Sequence, residues 1–182
     1  INRIGTLIKK IVDKGSDGKT KKIRLLSGDG KTFNGSGRKG NKAKNTCDKR
    51  NCNVFNFFDA SSALCHAVIP LDDKDSEIPT FQKVLNKFNL KDTMITADAL
   101  HCQRKTVEII NKKGGLYCIK VKDNQPGFKQ HIIDVIKLNQ SKCVRMSFNN
   151  CDYEIFIIDY KTNELDFPGA KAYIRMNSHK RK

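Results

Sequence analysis

The order of apolar patterns along this chain restricts its fold more than any other feature of the sequence. Three short apolar segments come first, three amphipathic helical patterns then alternate with further short apolar segments, and a β-rich tail follows the third helix. These segments are rich in β-branched and aromatic side chains, which is typical of strands. The predicted strands lie at 23–27, 53–59, 64–69, 94–97, 116–122, 143–148, 153–160 and 172–176. This order predicts an α/β fold in which helices cover both faces of a mixed sheet.

Helical patterns separate the later strands. The predicted helices lie at 78–89, at 99–113 and from 126 onward. In the first of them, Phe81, Val84, Leu85 and Phe88 have the i, i+3, i+4, i+7 spacing of one buried stripe. The third helix opens on Pro126, whose fixed φ suits a first helical turn. The helices therefore supply apolar surfaces that can cover the predicted sheet.

Length and charge indicate one domain with a polyanionic partner. A chain of 182 residues can form one domain with a substantial core. The formal net charge of +16 favours nucleic acid, although a ribosome-associated or membrane-surface protein would share this bias. No stretch is apolar for long enough to span a bilayer, and no secretory signal opens the chain. We expect residues 1–22 to be the tail of a preceding segment or a linker.

The cysteine pattern favours reduced thiols in a cytoplasmic protein. The seven cysteines are odd in number and scattered, and no CxxC pair occurs. Cys65 and Cys118 lie inside apolar runs, where a free cysteine acts as a small hydrophobic residue. Cys47 and Cys52 flank part of a basic loop, but no second ligand pair lies at the spacing of a zinc site.

Two aspartates stand where short apolar runs stop, and we expect each to mark the end of a strand. Asp29 lies in the run Gly28–Thr32, and Asp98 lies in the run Ile95–Gln103. Two carboxylates on neighbouring strand ends form a site for Mg²⁺, which prefers hard oxygen ligands. In so basic a chain, this site predicts phosphodiester chemistry on nucleic acid. Two structural alternatives stay open: Asp-Gly is a strong hairpin-turn signal, and Asp98 could cap the helix after it.

Several polar residues near these acids have both a functional and a structural explanation. The candidate DNA contacts are Lys31, Arg38, Lys39, Lys42, Lys122, Asn124 and Gln125. The first four belong to or adjoin a glycine-rich basic loop over 34–52, which could equally be solvated surface, and the last three could be an ordinary polar loop. Glu77 could simply lie in the first turn of a helix, where its negative charge interacts favourably with the helix dipole. His101 and Gln103 lie next to the proposed site in the sequence, but a position on a solvated helix face explains them equally well.

Four short motifs in order resemble one family. They are Asp29–Thr32 with Gly35–Ser36 (D-G-K-T-x-x-G-S), Lys74–Pro79 (K-S-N-E-I-P), Thr96–Gln103 (T-x-D-A-x-x-C-Q) and Lys122–Gln125 (K-G-N-Q). In this order and spacing the chain resembles the ISAs1 family of bacterial insertion-sequence transposases, which includes the H-repeat-associated proteins. The resemblance covers roughly residues 23–176.

The resemblance implies a ribonuclease-H-like fold and a DDE-type active site. Asp29 matches the first acid and Asp98 the second, and together they would coordinate two Mg²⁺ or Mn²⁺ ions. The implied reaction is cleavage of DNA and transfer of its 3′ ends. The implied partners are the terminal inverted repeats of the mobile element and further copies of the enzyme. The implied location is the bacterial cytoplasm, on the nucleoid.

The third acid is where this chain departs from the family pattern. The family carries that acid on a late helix in a segment rich in His, Trp and Glu, and this chain has no Trp. Glu108, Glu154 and Glu164 are the remaining candidates, none in the expected context. We therefore expect residues 23–182 to be a catalytic domain that is incomplete at its C-terminus. The alternatives are an inactive DNA-binding remnant of a transposase and a ribonuclease-H-like nuclease that is not a transposase.

Overall fold

A computed structural model describes most of the chain after residue 22. The described residues are 23–34, 36, 51–71, 76–138, 142–148, 150–159 and 167–180. The predicted N-terminal tail, the predicted DNA contacts Arg38, Lys39 and Lys42, and the candidate acid Glu164 lie outside them. The residues up to Lys120 belong to one compact unit and those from Val121 onward to a second. That residues 23–182 act as one catalytic domain stays a prediction.

The first unit is built on a five-stranded mixed sheet with the order β3-β2-β1-β4-β5. Its strands are β1 (Arg24–Phe33), β2 (Cys52–Asp59), β3 (Leu64–Leu71), β4 (Thr93–Ala97) and β5 (Leu116–Ile119). Strands β1, β2 and β3 form an antiparallel meander, while β4 pairs parallel to β1 and β5 pairs parallel to β4. The parallel pairs need crossover connections, and helices provide them.

Two helices of the first unit pack on the same face of this sheet. They are α1 (Glu77–Lys87) and α2 (Arg104–Lys112), and a short 3₁₀ helix, Ala99–His101, precedes α2. Phe81 of α1 and Ile110 of α2 are fully buried against Leu26 of β1 and Phe55 of β2. The mixed sheet with its helices confirms the predicted α/β, ribonuclease-H-like fold class. Within the first unit, however, α1 and α2 cover one face of the sheet, not both faces as predicted.

The opposite face of the sheet carries a smaller apolar cluster. Leu25 of β1 and Met94 of β4 are buried there, with Ile23 and Leu116 packed against them. Leu25 and Leu26 are adjacent in sequence yet belong to different clusters, because successive side chains of a strand point to opposite faces. This alternation shows to which face of the sheet each side chain of β1 and β4 projects.

The second unit combines one helix with a three-stranded antiparallel sheet of order β6-β7-β8. Its elements are α3 (Pro126–Leu138), β6 (Lys142–Phe148), β7 (Cys151–Asp159) and β8 (Ala172–Lys180). Phe128 of α3 stacks on Phe167 with ring centroids 4.7 Å apart, and its edge contact to Tyr173 of β8 spans 5.9 Å. The helix is therefore attached to the sheet through aromatic contacts.

The predicted elements correspond to observed ones, but several boundaries differ. Strand β5 ends at Ile119, before the predicted end at Lys122, and β8 continues to Lys180, past the predicted end at Met176. Strand β1 extends to Phe33, six residues past the predicted end at Ser27 (33 − 27 = 6). The helix predicted over 99–113 is interrupted after His101 and resumes at Arg104. Gly114, with φ of +70°, ends α2 in the left-handed conformation that glycine adopts readily. None of the helices in the described part of the chain is long and apolar enough to cross a membrane.

Candidate functional site

Asp29 and Asp98 are neighbours across the parallel pair of β1 and β4. The last registered pair of these strands is Gly28 with Ala97, and Asp29 and Asp98 are the residues that directly follow this pair. Asp98 keeps an extended backbone, with φ of −76° and ψ of −177°. Adjacent strands lie about 4.8 Å apart, so the two backbones bring these residues side by side.

The two carboxylates also share one face of the sheet, and both residues are exposed. Asp29 is four residues after Leu25, and Asp98 is four residues after Met94. Leu25 and Met94 belong to the smaller cluster, and an even number of residues along a strand returns to the same face. The fold therefore supplies two exposed, adjacent carboxylates on one side of the sheet, which is a donor set suited to a hard divalent cation.

The Asp-Gly dipeptide is not a turn. Asp29 lies inside β1 and is registered with Asn56 of β2, and Gly30 is registered with Phe55. The hairpin-turn alternative is therefore wrong, as is the expectation that Asp29 marks the end of a strand. For Asp98 the corresponding expectation is correct, since β4 ends at Ala97.

The glycines on either side of Asp29 are explained by the close approach of α1. A Cβ added to Gly28 would lie 2.7 Å from Cε2 of Phe81, closer than real Cβ contacts allow. A Cβ added to Gly30 would collide with the carboxyl group of Glu77. The sequence Gly28-Asp29-Gly30 is thus a strand segment whose one side chain points to the open face while α1 covers the other.

Asp98 caps the short helix that follows it. Its Oδ1 accepts a hydrogen bond from the backbone N–H of Leu100 at 2.9 Å. The N-cap alternative is therefore confirmed, but it does not exclude a metal role. An ionised carboxylate has two oxygens and about four lone-pair positions, so one N–H bond orients the group without exhausting it.

His101 is completely buried, so the solvated-face explanation is wrong for this residue. Its Nε2 lies 3.0 Å from Oε1 of Glu77, and its ring packs edge-on against Phe81 at 4.5 Å. Glu77 does occupy the first turn of α1, as predicted, and it also makes this contact. Gln103 is partly exposed and donates from Nε2 to the backbone oxygen of Leu100 at 3.3 Å.

Sequence reasoning missed Asn56. It lies on β2 directly opposite Asp29, and residues opposite one another across a strand pair project to the same face. Its Cβ is about 5 Å from that of Asp29 by strand geometry, which brings an amide oxygen and an amide N–H₂ to the edge of the site. Only the strand register identifies it, because 27 residues of sequence separate it from Asp29 (56 − 29 = 27).

The other predicted site residues in the described ranges are divided between the two units. Lys31 is exposed on β1, two residues after Asp29 and on the same face. Lys122, Asn124 and Gln125 lie in the second unit, in the turn before α3, where the N–H of Gln125 donates to the backbone oxygen of Lys122 at 3.1 Å. Their role as DNA contacts stays a prediction.

The described candidates for the third acid are ion-paired elsewhere. Glu108 contacts Arg104 at 3.3 Å on the surface of α2. Glu154 contacts its cross-strand neighbour Arg145 at 3.1 Å in the second unit. Within the described ranges, no group of three or more His, Cys, Asp or Glu side chains could hold a metal ion. The described part of the site is thus a two-carboxylate site.

A separate polar cluster lies at the other end of β1. The Arg24 Nε donates to Oδ2 of Asp59 at 2.8 Å, and Oδ1 of Asp59 accepts from the N–H groups of Ser61 and Ser62. Burial raises the pKa of Asp59, but the hydrogen bonds from Arg24, Ser61 and Ser62 and the charge of Arg24 outweigh it and lower that pKa to about 2. This cluster ties the start of β1 to the β2–β3 hairpin.

Strand order and acid placement together define the class of protein. A mixed sheet of order β3-β2-β1-β4-β5, with one acid on β1 beside another at the end of β4, is the arrangement expected of a ribonuclease-H-like protein with a carboxylate site. The Transposase DDE domain family matches residues 20–171, and the chain belongs to this family.

Curated relatives agree with this assignment. The chain is 28% identical over 110 residues to the "H repeat-associated putative transposase YhhI" of Escherichia coli K12, which covers 60% of this chain and 27% of the relative. It is 36% identical over 72 residues to the "H repeat-associated putative transposase YbfD" of the same organism, covering 40% and 28%. A protein of Xanthobacter autotrophicus from the dhlA 3′ region is 26% identical over 142 residues, covering 72% and 48%. The chain thus spans less than half the length of each of these relatives.

A solved piggyBac transposase synaptic complex with hairpin DNA is also similar. The superposition covers 85% of this chain and 32% of that chain, with a TM-score of 0.41 and 14% sequence identity. At this level of likeness, the fold assignment depends on the strand order and pairing described above.

Proposed function

We propose that this chain is the catalytic core of a DDE transposase of the ISAs1 type, which cleaves DNA and transfers 3′ ends with the help of Mg²⁺ or Mn²⁺. The observation that carries the proposal is the side-by-side placement of Asp29 and Asp98 on one exposed face of the sheet. Membership of the Transposase DDE domain family and the order of the four motifs support it.

The two aspartates are proposed to hold the metal ions. When bound, divalent cations assist in-line phosphoryl displacement by activating the attacking oxygen and stabilising charge on the leaving oxygen. Asp98 is oriented by the N–H of Leu100. Asp29 is paired with Asn56 of β2 and directly follows the last registered pair of β1 with β4. These carboxylates offer hard oxygen ligands and reduce the positive charge of the bound ions.

Basic and amide side chains are proposed to contact the DNA. Lys31 shares the face of Asp29 and would meet a phosphate next to the reacting one. We extend this proposal to Arg38, Lys39, Lys42, Lys122, Asn124 and Gln125. The net charge of +16 favours such contacts, because phosphate neutralisation with counterion release supplies most sequence-independent affinity. The proposed DNA partners are the terminal inverted repeats of the element, bound by an assembly of several copies in the bacterial cytoplasm.

The complete enzyme is proposed to use a third acid from outside the described residues. Glu108 and Glu154 form ion pairs with Arg104 and Arg145. Within the described ranges, no group of three or more His, Cys, Asp or Glu side chains could hold a metal ion. Two carboxylates are sufficient to hold a divalent ion with water completing its coordination, because Mg²⁺ keeps several waters in such sites.

Titration of Mn²⁺ by calorimetry tests the proposed site. The wild-type chain is compared with Asp29→Asn/Asp98→Asn and with the charge-matched control Asp134→Asn/Asp152→Asn, whose acids are both exposed. We expect the first double variant to lose binding and the control to retain it. Equal heats from all three proteins would contradict the assignment of Asp29 and Asp98 as ligands.

A second candidate function is an inactive DNA-binding remnant of a transposase. The absence of a three-acid cluster within the described ranges favours it. Incubation with supercoiled plasmid and Mn²⁺ separates the two, since cleavage that Asp29→Asn abolishes supports the enzyme, and salt-dependent binding without cleavage supports the remnant. The match to the Transposase DDE domain family argues against a nuclease outside the transposases, which would hydrolyse DNA without strand transfer.

A further inference from the structure

A buried polar pair lies under the strands that carry the two aspartates. His101 has no exposed surface, and only a small part of the Glu77 side chain is exposed. Their contact, Nε2 to Oε1, is 3.0 Å long. A carboxylate oxygen accepts hydrogen bonds, so the contact is satisfied by the His101 tautomer in which the Nε2–H donates to Oε1 of Glu77. This directional bond lies on the face of the sheet opposite the aspartates, within the layer formed by α1 and α2.

One partner of the pair is fixed against the backbone next to Asp29. The carboxyl group of Glu77 occupies the space in which a side chain of residue 30 would stand. Gly30 follows Asp29 directly and lies in the central strand of the sheet. The position of Glu77 is therefore coupled to the backbone that carries the first acid.

The other partner belongs to the turn that carries Asp98. His101 ends the 3₁₀ helix whose first residue, Ala99, follows Asp98, and the N–H of Cys102 donates to the backbone oxygen of Ala99 at 3.1 Å. The same turn presents the N–H of Leu100 to Oδ1 of Asp98. A shift of His101 would thus move the donor that orients the second acid.

Two aromatic rings fix the plane of the imidazole. The ring of Phe81 lies 4.5 Å from it and that of Phe55 lies 6.0 Å from it, both edge-on. Phe55 is also the cross-strand partner of Gly30. An apolar pair could fill this space without the cost of desolvating polar groups, so what the polar pair adds is a hydrogen bond of fixed direction.

We infer that Glu77 and His101 are positioning residues, which hold the Asp98 turn against β1 so that Asp98 stands beside Asp29. The inference depends on the proposed function for its consequence, which is preorganisation of the metal site. Groups that orient metal ligands through hydrogen bonds are worth about 10–100-fold in metal affinity. A purely structural pair would change the stability of the fold without changing metal affinity.

The test uses the full chain and replaces the pair by apolar residues, Glu77→Leu/His101→Phe. The matched control is Gln82→Met, which removes another polar link of α1, the 3.1 Å bond from Nε2 of Gln82 to Oγ1 of Thr106. We measure Mn²⁺ affinity by calorimetry and amide hydrogen exchange of Leu100 by NMR, with thermal melting as the check of folding. The expected result is a loss of about tenfold or more in Mn²⁺ affinity and faster exchange at Leu100, neither of which occurs in the control.

Two further variants separate the possible failures. Gly30→Ala displaces Glu77 while leaving the pair chemically intact. It should therefore also weaken Mn²⁺ affinity and speed Leu100 exchange, and it serves as the test if the double variant does not fold. Glu77→Gln keeps an oxygen acceptor for Nε2 and should retain most of the wild-type Mn²⁺ affinity. Wild-type Mn²⁺ affinity and wild-type Leu100 exchange in a folded apolar variant would overturn the inference. If the wild-type chain binds no Mn²⁺, the proposed metal site fails, and Leu100 exchange alone decides the positioning role.

Discussion

Acid should destabilise the first unit through Asp59 by an amount that follows from its contacts. The hydrogen bonds from Arg24, Ser61 and Ser62 lower the pKa of Asp59 from 3.8 to about 2, against the effect of burial. A depressed carboxyl pKa contributes stability that is present above the unfolded pKa and is lost as the pH falls through the folded one. At about 1.4 kcal/mol for each pKa unit, the contribution is about 2 kcal/mol at neutral pH. It should disappear between about pH 4 and pH 2.

Urea unfolding of wild type and Asp59→Asn over pH 2–7 measures this contribution. Both proteins lose stability in acid through their other carboxyl groups, and the difference between the two curves isolates Asp59. The control is Asp134→Asn, an exposed residue of α3 that accepts a hydrogen bond from Gln130 at 2.8 Å. We expect a difference of about 2 kcal/mol above pH 5 that falls towards zero at pH 2. A difference that stays constant from pH 5 to pH 2 would refute the reasoning.

Two further predictions concern the proposed site. Asn56→Asp places a third carboxylate opposite Asp29, so Mn²⁺ should bind more tightly, on the order of tenfold, as calorimetry would show; unchanged affinity would mean that Asn56 is not part of the site. Lys31→Ala removes one proposed phosphate contact, so DNA affinity should weaken for all sequences and the slope of log K against log salt should fall by about one. Fluorescence anisotropy at several salt concentrations measures the slope, and Lys137→Ala on exposed α3 is the control.

The element order was predictable from the sequence because each element has a local pattern. The stripe of Phe81, Val84 and Leu85 predicted α1, and all three residues are buried. The apolar run before Asp98 predicted β4, which is buried along its whole length. Such patterns reflect burial of one face, which neighbouring residues report directly.

The site was predictable only in part, because contacts distant in sequence decide the rest. The Asp-Gly dipeptide has high turn propensity, but the packing of α1 against Gly28 and Gly30 places it inside a strand. His101 has a polar side chain in a helical pattern, and its burial depends on a partner 24 residues away. Asn56 has no sequence signal at all, since only the register of β2 brings it opposite Asp29.

The two faces of the central strand β1 explain why the Asp-Gly dipeptide lies inside a strand and why His101 is buried close to it. Asp29 must project into the open, so the residues on either side of it face the helical layer, and there α1 approaches closely enough to exclude any side chain. The space that the absent side chain of Gly30 leaves is filled by Glu77, which then bonds to the turn carrying Asp98. A glycine that looks like turn chemistry in the sequence is, in the fold, what allows the helical layer to contact the backbone of the first acid. The same contact connects the strand of Asp29 to the turn of Asp98 through the interior of the protein. A substitution on the helix-covered face of β1 should therefore change the positions of the two aspartates on the exposed face.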